Sequence, residues 1–191
     1  MDQVRVAVIG IGNIGNLHLR LIEDIPQLKL AAVCDVVPEK ANAAAEKYGV
    51  KAYYDADKLL ADHVVDAVTV GTPHYAHTTI GIAALNSGHH VLVEKPISVH
   101  KADAERLIAA HKANPDRVFA AMFNQRTDPY YKKIKEMVVG GALGQFLRIN
   151  WIITNWFRPQ AYYDSGGWRA TWGGEGGGVL LNQCPHNLDL L

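Results

Sequence analysis

Three groups of residues in this 191-residue chain combine types and spacings that could do chemistry. The first is a glycine-rich turn, Gly10-Ile11-Gly12-Asn13-Ile14-Gly15, followed by an acid at Asp35. The second is Glu94-Lys95-Pro96, at the exit of an apolar run. The third is Asn182 and His186, with Asp189 a little further along.

The turn has the spacing of a phosphate cradle. Gly10 permits a tight bend, Gly12 lets a pyrophosphate approach the backbone, and Gly15 lets a helix pack closely on a strand. The first N–H groups of that helix offer partial positive charge to the phosphates. Glycine-rich spacing alone is weak evidence. Here a strand pattern precedes it, a helix pattern follows, and an acid lies about twenty residues beyond the last glycine. Asp35 can accept hydrogen bonds from an adenosine ribose and would repel a 2′-phosphate. Val36 and Val37 supply no arginine to bind one. The expected cofactor is NAD rather than NADP.

Lys95 ends a strand pattern, where its ammonium can be partly desolvated and its pKa lowered toward proton transfer. A lysine paired with Glu94, or simply solvated, fits the same pattern. On one helix, Asn182 and His186 would share a face, with Asp189 close to it. The histidine could act as general acid or base near neutral pH, and the amide could orient a substrate hydroxyl. A lone helical histidine is also commonly structural. Cys184 would face neither neighbour on a helix, so it is not read as a nucleophile.

The elements that must position these groups follow from periodicity. Strand patterns cover Val4 to Ile9, Leu28 to Cys34, Lys51 to Tyr54, Val64 to Val70, His90 to Val93 and Val118 to Phe123. Helix patterns alternate with them: Ile14 to about Asp24, Pro38 to Tyr48, around Asp57 to Ala61, Tyr75 to Ser87, and a fifth capped by Ser98 and ending near Asn114-Pro115. This alternation predicts an α/β fold with a doubly wound parallel sheet over residues 1–123. Ligands of such sheets bind beyond the carboxyl ends of the strands. Gly71-Thr72-Pro73-His74, Glu94-Lys95-Pro96 and Asn124-Gln125-Arg126 all lie at that edge.

Residues 124–191 differ in character. A helix starts at Asp128-Pro129 and ends at Gly140-Gly141. Phe146 to Thr154 alternates as a long strand would. An irregular aromatic and glycine-rich stretch follows, and an apolar helix begins near Val179 and runs to Leu191. All four tryptophans (Trp151, Trp156, Trp168, Trp172) lie here. One strand and one helix cannot make a stable layer alone. The expectation is the beginning of a second, α+β domain that is incomplete in this chain.

Composition narrows the partners. Apolar residues make up 49% and charged residues 20%, and 19 basic side chains balance 19 acidic ones. Nothing suggests nucleic acid or an acidic tail. No signal-peptide pattern or membrane-spanning run is evident. Cys34 and Cys184 read as reduced thiols of a cytoplasmic protein. The histidines show no metal spacing.

The phosphate turn, Gly71-Thr72-Pro73-His74, Glu94-Lys95-Pro96, and Gly176-Gly177-Gly178-Val179-Leu180 leading to His186 occur in that order. The series resembles the glucose–fructose oxidoreductase/inositol dehydrogenase (Gfo/Idh/MocA) family. The resemblance implies an N-terminal NAD(P)-binding Rossmann domain and a C-terminal α+β domain with a mostly antiparallel sheet. It implies a homo-oligomer acting on a sugar, inositol or related polyol by hydride transfer. It puts Lys95, Asn182 and His186 in the active site. Thr72, Pro73, His74 and His77 would line the cofactor's path together with Glu94, and Gln125 the nicotinamide pocket. Trp168-Arg169 would close over the cofactor. Many members carry aspartate at the position of Asn182, which makes this amide a substrate-orienting group. Members are nearly twice as long. Two other activities fit: an NAD-dependent glycosidase working by oxidation and elimination, and a non-catalytic NAD-binding protein.

Overall fold

The computed structural model describes residues 3–154 and 157–191. Trp156, in the aromatic stretch, lies outside the described residues. Six strands form one parallel sheet in the order β3-β2-β1-β4-β5-β6. They are β1 (Val4–Ile9), β2 (Leu28–Cys34), β3 (Lys51–Tyr53), β4 (Ala67–Val70), β5 (His90–Val93) and β6 (Phe119–Ala121). Between them run α1 (Asn13–Glu23), α2 (Pro38–Tyr48), α3 (Ala56–Ala61), α4 (His74–Asn86) and α5 (Lys101–Ala113).

The strands are nearly continuous apolar runs because both sheet faces are covered. Alternation along β1 shows it. Val6 and Val8 pack with Leu19, Ile22 and Ala44 on one side. Ala7 and Ile9 pack with Leu59, Leu85 and Leu107 on the other. Strand order reverses at β1: β2 and β3 continue one way, β4 to β6 the other. A crevice opens at such a reversal, beyond the carboxyl ends of β1 and β4. The loops carrying the candidate residues therefore converge there.

Several boundaries differ from expectation, each for a local reason. β4 starts at Ala67, not Val64. Just before it, the Asp66 carboxylate accepts the Arg5 backbone N–H at 2.8 Å and pairs with its guanidinium. Ser98 does not cap α5. Its hydroxyl lies between Thr78 and His100, and His100 takes the N-cap position. After β6 the chain tightens into a 3₁₀ turn over Asn124–Thr127.

The last third departs further. α6 (Pro129–Val139) is present, with the Asp128 carboxylate accepting the Tyr130 N–H at 2.8 Å. The strand expected at Phe146 to Thr154 is not formed. No second strand stands beside it among the described residues, and an extended segment without a partner leaves its backbone groups unpaired. Leu147 and Ile152 are correspondingly 92% and 82% exposed. α7 (Gln160–Asp164) follows. The single helix expected from Val179 is two: α8 (Val179–Asn182) and α9 (Pro185–Leu190). Pro185 has no N–H to donate and disfavours helical geometry in the residue before it. No helix among the described residues is long and apolar enough to cross a membrane.

Leu107 of α5 is fully buried between α5 and the sheet. Replacing it with alanine should cost about 2–5 kcal/mol. Urea unfolding checks this, and a loss below about 1 kcal/mol would contradict the packing described.

Candidate active site

The glycine turn holds two chain segments at backbone contact. Gly10 has φ +94°, and a Cβ there would lie 2.8 Å from the Gly71 carbonyl carbon and from the Thr72 nitrogen. A Cβ on Gly15 would lie 1.9 Å from the Gly10 carbonyl oxygen. Only glycine permits either approach. Gly12 is the opposite case, with nothing within 4 Å of an added Cβ. It faces an open cleft of about 970 Å³. No side chain caps the start of α1, so its first N–H groups are left for a ligand. A free helix N-terminus behind an open glycine fits a pyrophosphate.

Asp35, at the end of β2, is buried on the same cleft wall. Its two oxygens accept the Ile11 N–H at 2.6 Å and the Val37 N–H at 2.9 Å. The carboxylate thus ties the turn to β2 while keeping lone pairs for a ribose. Burial, aided by Asp35, pushes the neighbouring Cys34 thiol up to about 12, so it stays protonated.

At the other end of the cleft, the Lys95 ammonium donates to the Asn182 backbone carbonyl at 2.6 Å. Glu94 is not its side-chain partner. Glu94 is buried against His18 of α1, Oε1 to Nε2 2.8 Å, and its other oxygen accepts the Lys95 backbone N–H at 3.3 Å. Burial pushes the Lys95 pKa down. The charges of Arg158 and Arg169 push it the same way, while Glu94 and Glu175 partly offset them.

Asn182 and His186 do not share a helix, since they sit on α8 and α9 either side of the Pro185 break. Asn182 is buried, and its amide N–H donates to the Glu175 carboxylate. His186 meets Phe123 edge-on at 5.8 Å. Its pKa is lowered by burial first, then by the Lys95 charge. Asp189 does not face His186 as a partner. It forms a two-point ion pair with Arg126, 2.7 Å at Nε, fastening α9 to the turn after β6.

The β4 loop residues divide by role. Thr72, Pro73, His74 and His77 all border the cleft. His77 is fully buried between the carbonyl oxygens of Pro96 (2.7 Å) and Thr72 (2.8 Å), bracing the β4 loop against the β5 loop. His74 hydrogen-bonds the Glu175 carbonyl through Nδ1 at 2.9 Å and meets Trp168 edge-on at 5.1 Å. Trp168 and Arg169 border the cleft, whereas Gln125 and His186 stand off its wall.

Four buried side-chain atoms have no hydrogen-bond partner among the described residues: Thr72 Oγ1, Gln125 Oε1, Arg169 Nε and His186 Nδ1. Buried polar groups are normally satisfied, and two of these four residues, Thr72 and Arg169, border the cleft. All four are residues the sequence had nominated. Sequence reasoning missed His18, Arg158, Tyr162 and Glu175. His18 follows Gly15 by one helical turn on the buried face of α1, a readable signal. Glu175 is the lone acid in a glycine run. Arg158 and Tyr162 carry no periodic signal. No cluster of histidine, cysteine or acidic side chains among the described residues could hold a metal.

Burial pushes the His74 pKa down from 6.5 to about 4. The unfolded chain then binds more protons between those values, so stability rises with pH through the window. The urea midpoint should fall as pH drops from 6.5 toward 4, and His74→Gln should flatten that slope. An unchanged slope in the variant would remove His74 as its cause.

A model of the oxidoreductase family with an NAD-binding Rossmann fold matches residues 4–122, and one of the GFO/IDH/MocA C-terminal domain matches residues 131–191. Inositol 2-dehydrogenase of Salmonella typhimurium is 33% identical over 171 residues, covering 85% of this chain and 51% of that protein. Scyllo-inositol dehydrogenase from Lactobacillus casei, solved with NAD(H) and scyllo-inositol, superposes with TM-score 0.72 at 29% identity over 75% of this chain and 43% of that one. The WlbA dehydrogenase from Bordetella pertussis, solved with NADH and UDP-GlcNAcA, gives TM-score 0.88 at 27% identity over 99% of this chain and 57% of that one. The chain spans about half the length of the curated relatives it matches. With both family models matching in order along it, the chain belongs to the Gfo/Idh/MocA oxidoreductases and carries their NAD-binding Rossmann domain.

Proposed function

We propose that this protein is a dehydrogenase that moves a hydride between NAD and a carbinol carbon of a sugar, inositol or related polyol. The observation that carries the reading is the Lys95 ammonium. It is desolvated, held by the Asn182 carbonyl, and electrostatically coupled to His186, whose Nδ1 has no hydrogen-bond partner among the described residues. The polyol class is supported by the inositol dehydrogenases among the relatives.

Bound NAD supplies the two-electron redox chemistry at its nicotinamide ring. His186 is the general base in the oxidation, taking the proton from the substrate hydroxyl onto a ring nitrogen. Its lowered pKa keeps the imidazole neutral and ready to accept near pH 7. Lys95 donates to the same oxygen and stabilises the negative charge that develops there. Asn182, fixed by Glu175 and Lys95, orients the hydroxyl. Glu94, buttressed by His18, holds the Lys95 loop in place. Thr72, Gln125, Trp168 and Arg169 contribute cofactor contacts. Asp35 selects NAD over NADP by repelling a 2′-phosphate.

Residues 124–191 are the substrate and oligomerisation part, built toward an antiparallel sheet. Support comes from exposed Leu147, Ile149 and Ile152, which have no sheet partner among the described residues.

Reduced-nicotinamide absorbance should rise with NAD and a member of a polyol panel. Lys95→Ala and His186→Ala should each lower kcat by about 10²–10⁴-fold while leaving NAD affinity near wild type. Full turnover in both variants would sink the assignment.

The phosphate cradle is tested separately. Gly12→Ala should keep the melting temperature but weaken NAD binding, because its Cβ enters the open cleft. Gly15→Ala should lower stability by several kcal/mol, since its Cβ meets backbone that cannot retreat. Calorimetry reads both, and equal effects would contradict the turn geometry.

A further inference from the structure

Tyr162, on α7, is half-buried and borders the cleft together with Lys95, Asn182 and Gln183. Its ring is held by its neighbours. The guanidinium carbons of Arg158 and Arg169 lie 4.5 and 4.3 Å from its centroid, and Tyr163 meets it edge-on at 5.2 Å. The phenol oxygen is therefore fixed in position.

The groups around that oxygen decide which way its bonds run. A phenol has one O–H to donate, and its lone pairs accept. Arg169 Nη1 lies 2.7 Å away, and a guanidinium can only donate. Gln183 Nε2 lies 3.1 Å away. The other end of that amide orients it, since Gln183 Oε1 accepts the Arg158 Nε–H at 3.2 Å and its NH₂ group then faces Tyr162. Tyr162 thus accepts both bonds, and its own proton goes to neither partner. Among the described residues no acceptor takes that proton. A cationic donor on the lone pairs polarises the O–H and makes it a stronger donor.

This donor stands at the Lys95 end of the cleft. Gln183, which bonds Tyr162, follows Asn182, whose carbonyl holds the Lys95 ammonium at 2.6 Å. Lys95 and His186 serve the reacting oxygen in the reading above. A polyol also carries hydroxyls on the carbons next to the reacting one, and each oxygen taken out of water needs a replacement donor.

We propose that Tyr162 is a substrate-binding residue whose hydroxyl donates a hydrogen bond to a polyol oxygen next to the reacting carbon. The inference rests on the dehydrogenase reading for the placement of the polyol against Lys95. It adds a residue that selects which polyol is taken, because a site built to bond one hydroxyl rejects the analogue that lacks it.

The test is equilibrium binding to the NAD-loaded protein, read by tryptophan fluorescence, with myo-inositol, D-glucose and the monodeoxy analogues of each. Tyr162→Phe keeps the ring and removes the hydroxyl. It should weaken the tighter-binding parent polyol about three- to tenfold, the strength of one hydrogen bond, and leave NAD affinity within about twofold. In the wild type, one monodeoxy analogue should show a loss of similar size. That loss should vanish in Tyr162→Phe, because the same bond is already gone. A hydroxyl that only supports Arg169 and Gln183 gives additive losses for every analogue, which overturns the proposal. Unchanged polyol binding in the variant, a loss of NAD affinity in its place, or no binding of either parent polyol overturns it as well. Wild-type protein that binds every monodeoxy analogue as tightly as its parent overturns it whatever the variant does. In turnover the loss should appear in KM. A fall in kcat with KM unmoved puts Tyr162 on the reacting oxygen and overturns the assignment. A vanishing loss without any nicotinamide reduction counts against the dehydrogenase reading alone. Oxidation of either polyol with additive losses counts against this inference alone.

Discussion

The structure depends on a backbone approach that no side chain could share. The Gly10 carbonyl lies where a Cβ on Gly15 would be, and the Gly71–Thr72 peptide lies where a Cβ on Gly10 would be. These contacts bring the ends of β1 and β4 and the start of α1 together at the point where strand order reverses. A parallel sheet with helices on both faces opens a crevice there. The glycines make its floor, and the loops after β2, β4 and β5 make its walls. The open side of Gly12 and the uncapped N-terminus of α1 are consequences of the same packing.

The last third of the chain is fastened to this frame largely through its own backbone oxygens. Lys95 reaches the Asn182 carbonyl, His74 the Glu175 carbonyl, and the Tyr75 hydroxyl the Trp172 carbonyl. Acceptors of this kind do not depend on side-chain identity. Their positions depend on the path of the glycine-rich segment. The Arg126–Asp189 ion pair links α9 to the turn after β6. Arg126 is largely exposed, so the link is worth little as stability and matters as geometry, setting α9 and His186 against Phe123.

The Rossmann part was legible because its signals are local. Apolar runs, punctuating glycines and prolines, and the spacing of the turn all act within a few residues. Errors in this part came from competition between near neighbours, as where Ser98 bonds Thr78 instead of capping α5. The last third was less legible because its structure rests on distant partners. The alternation in Phe146 to Thr154 is a strand's pattern, yet a strand exists only beside another strand. The interval between Asn182 and His186 is a helical one, yet Pro185 lies within it and breaks the helix. Lys95 was found from its strand, but its partner is a carbonyl 87 residues away, which no short-range rule reveals. The Arg158–Tyr162–Arg169 stack was invisible for the same reason, since it forms only when an irregular loop closes on itself.

The amide at position 182 follows from its neighbours. Asn182 donates its N–H to the buried Glu175 carboxylate. An aspartate there would offer no donor and would face that carboxylate with a second negative charge, and like-charged carboxylates at contact cannot both stay ionised. One would have to take up a proton, or Glu175 would have to move and draw with it the carbonyl that His74 holds. A second anion beside Lys95 would also raise the lysine pKa, working against the burial that lowers it. The amide avoids both effects. It satisfies Glu175 and adds no further negative charge beside Lys95 or His186, whose pKa values burial lowers first. The amide at position 182 and the buried glutamate in the glycine run are therefore one feature, read from two positions in the chain.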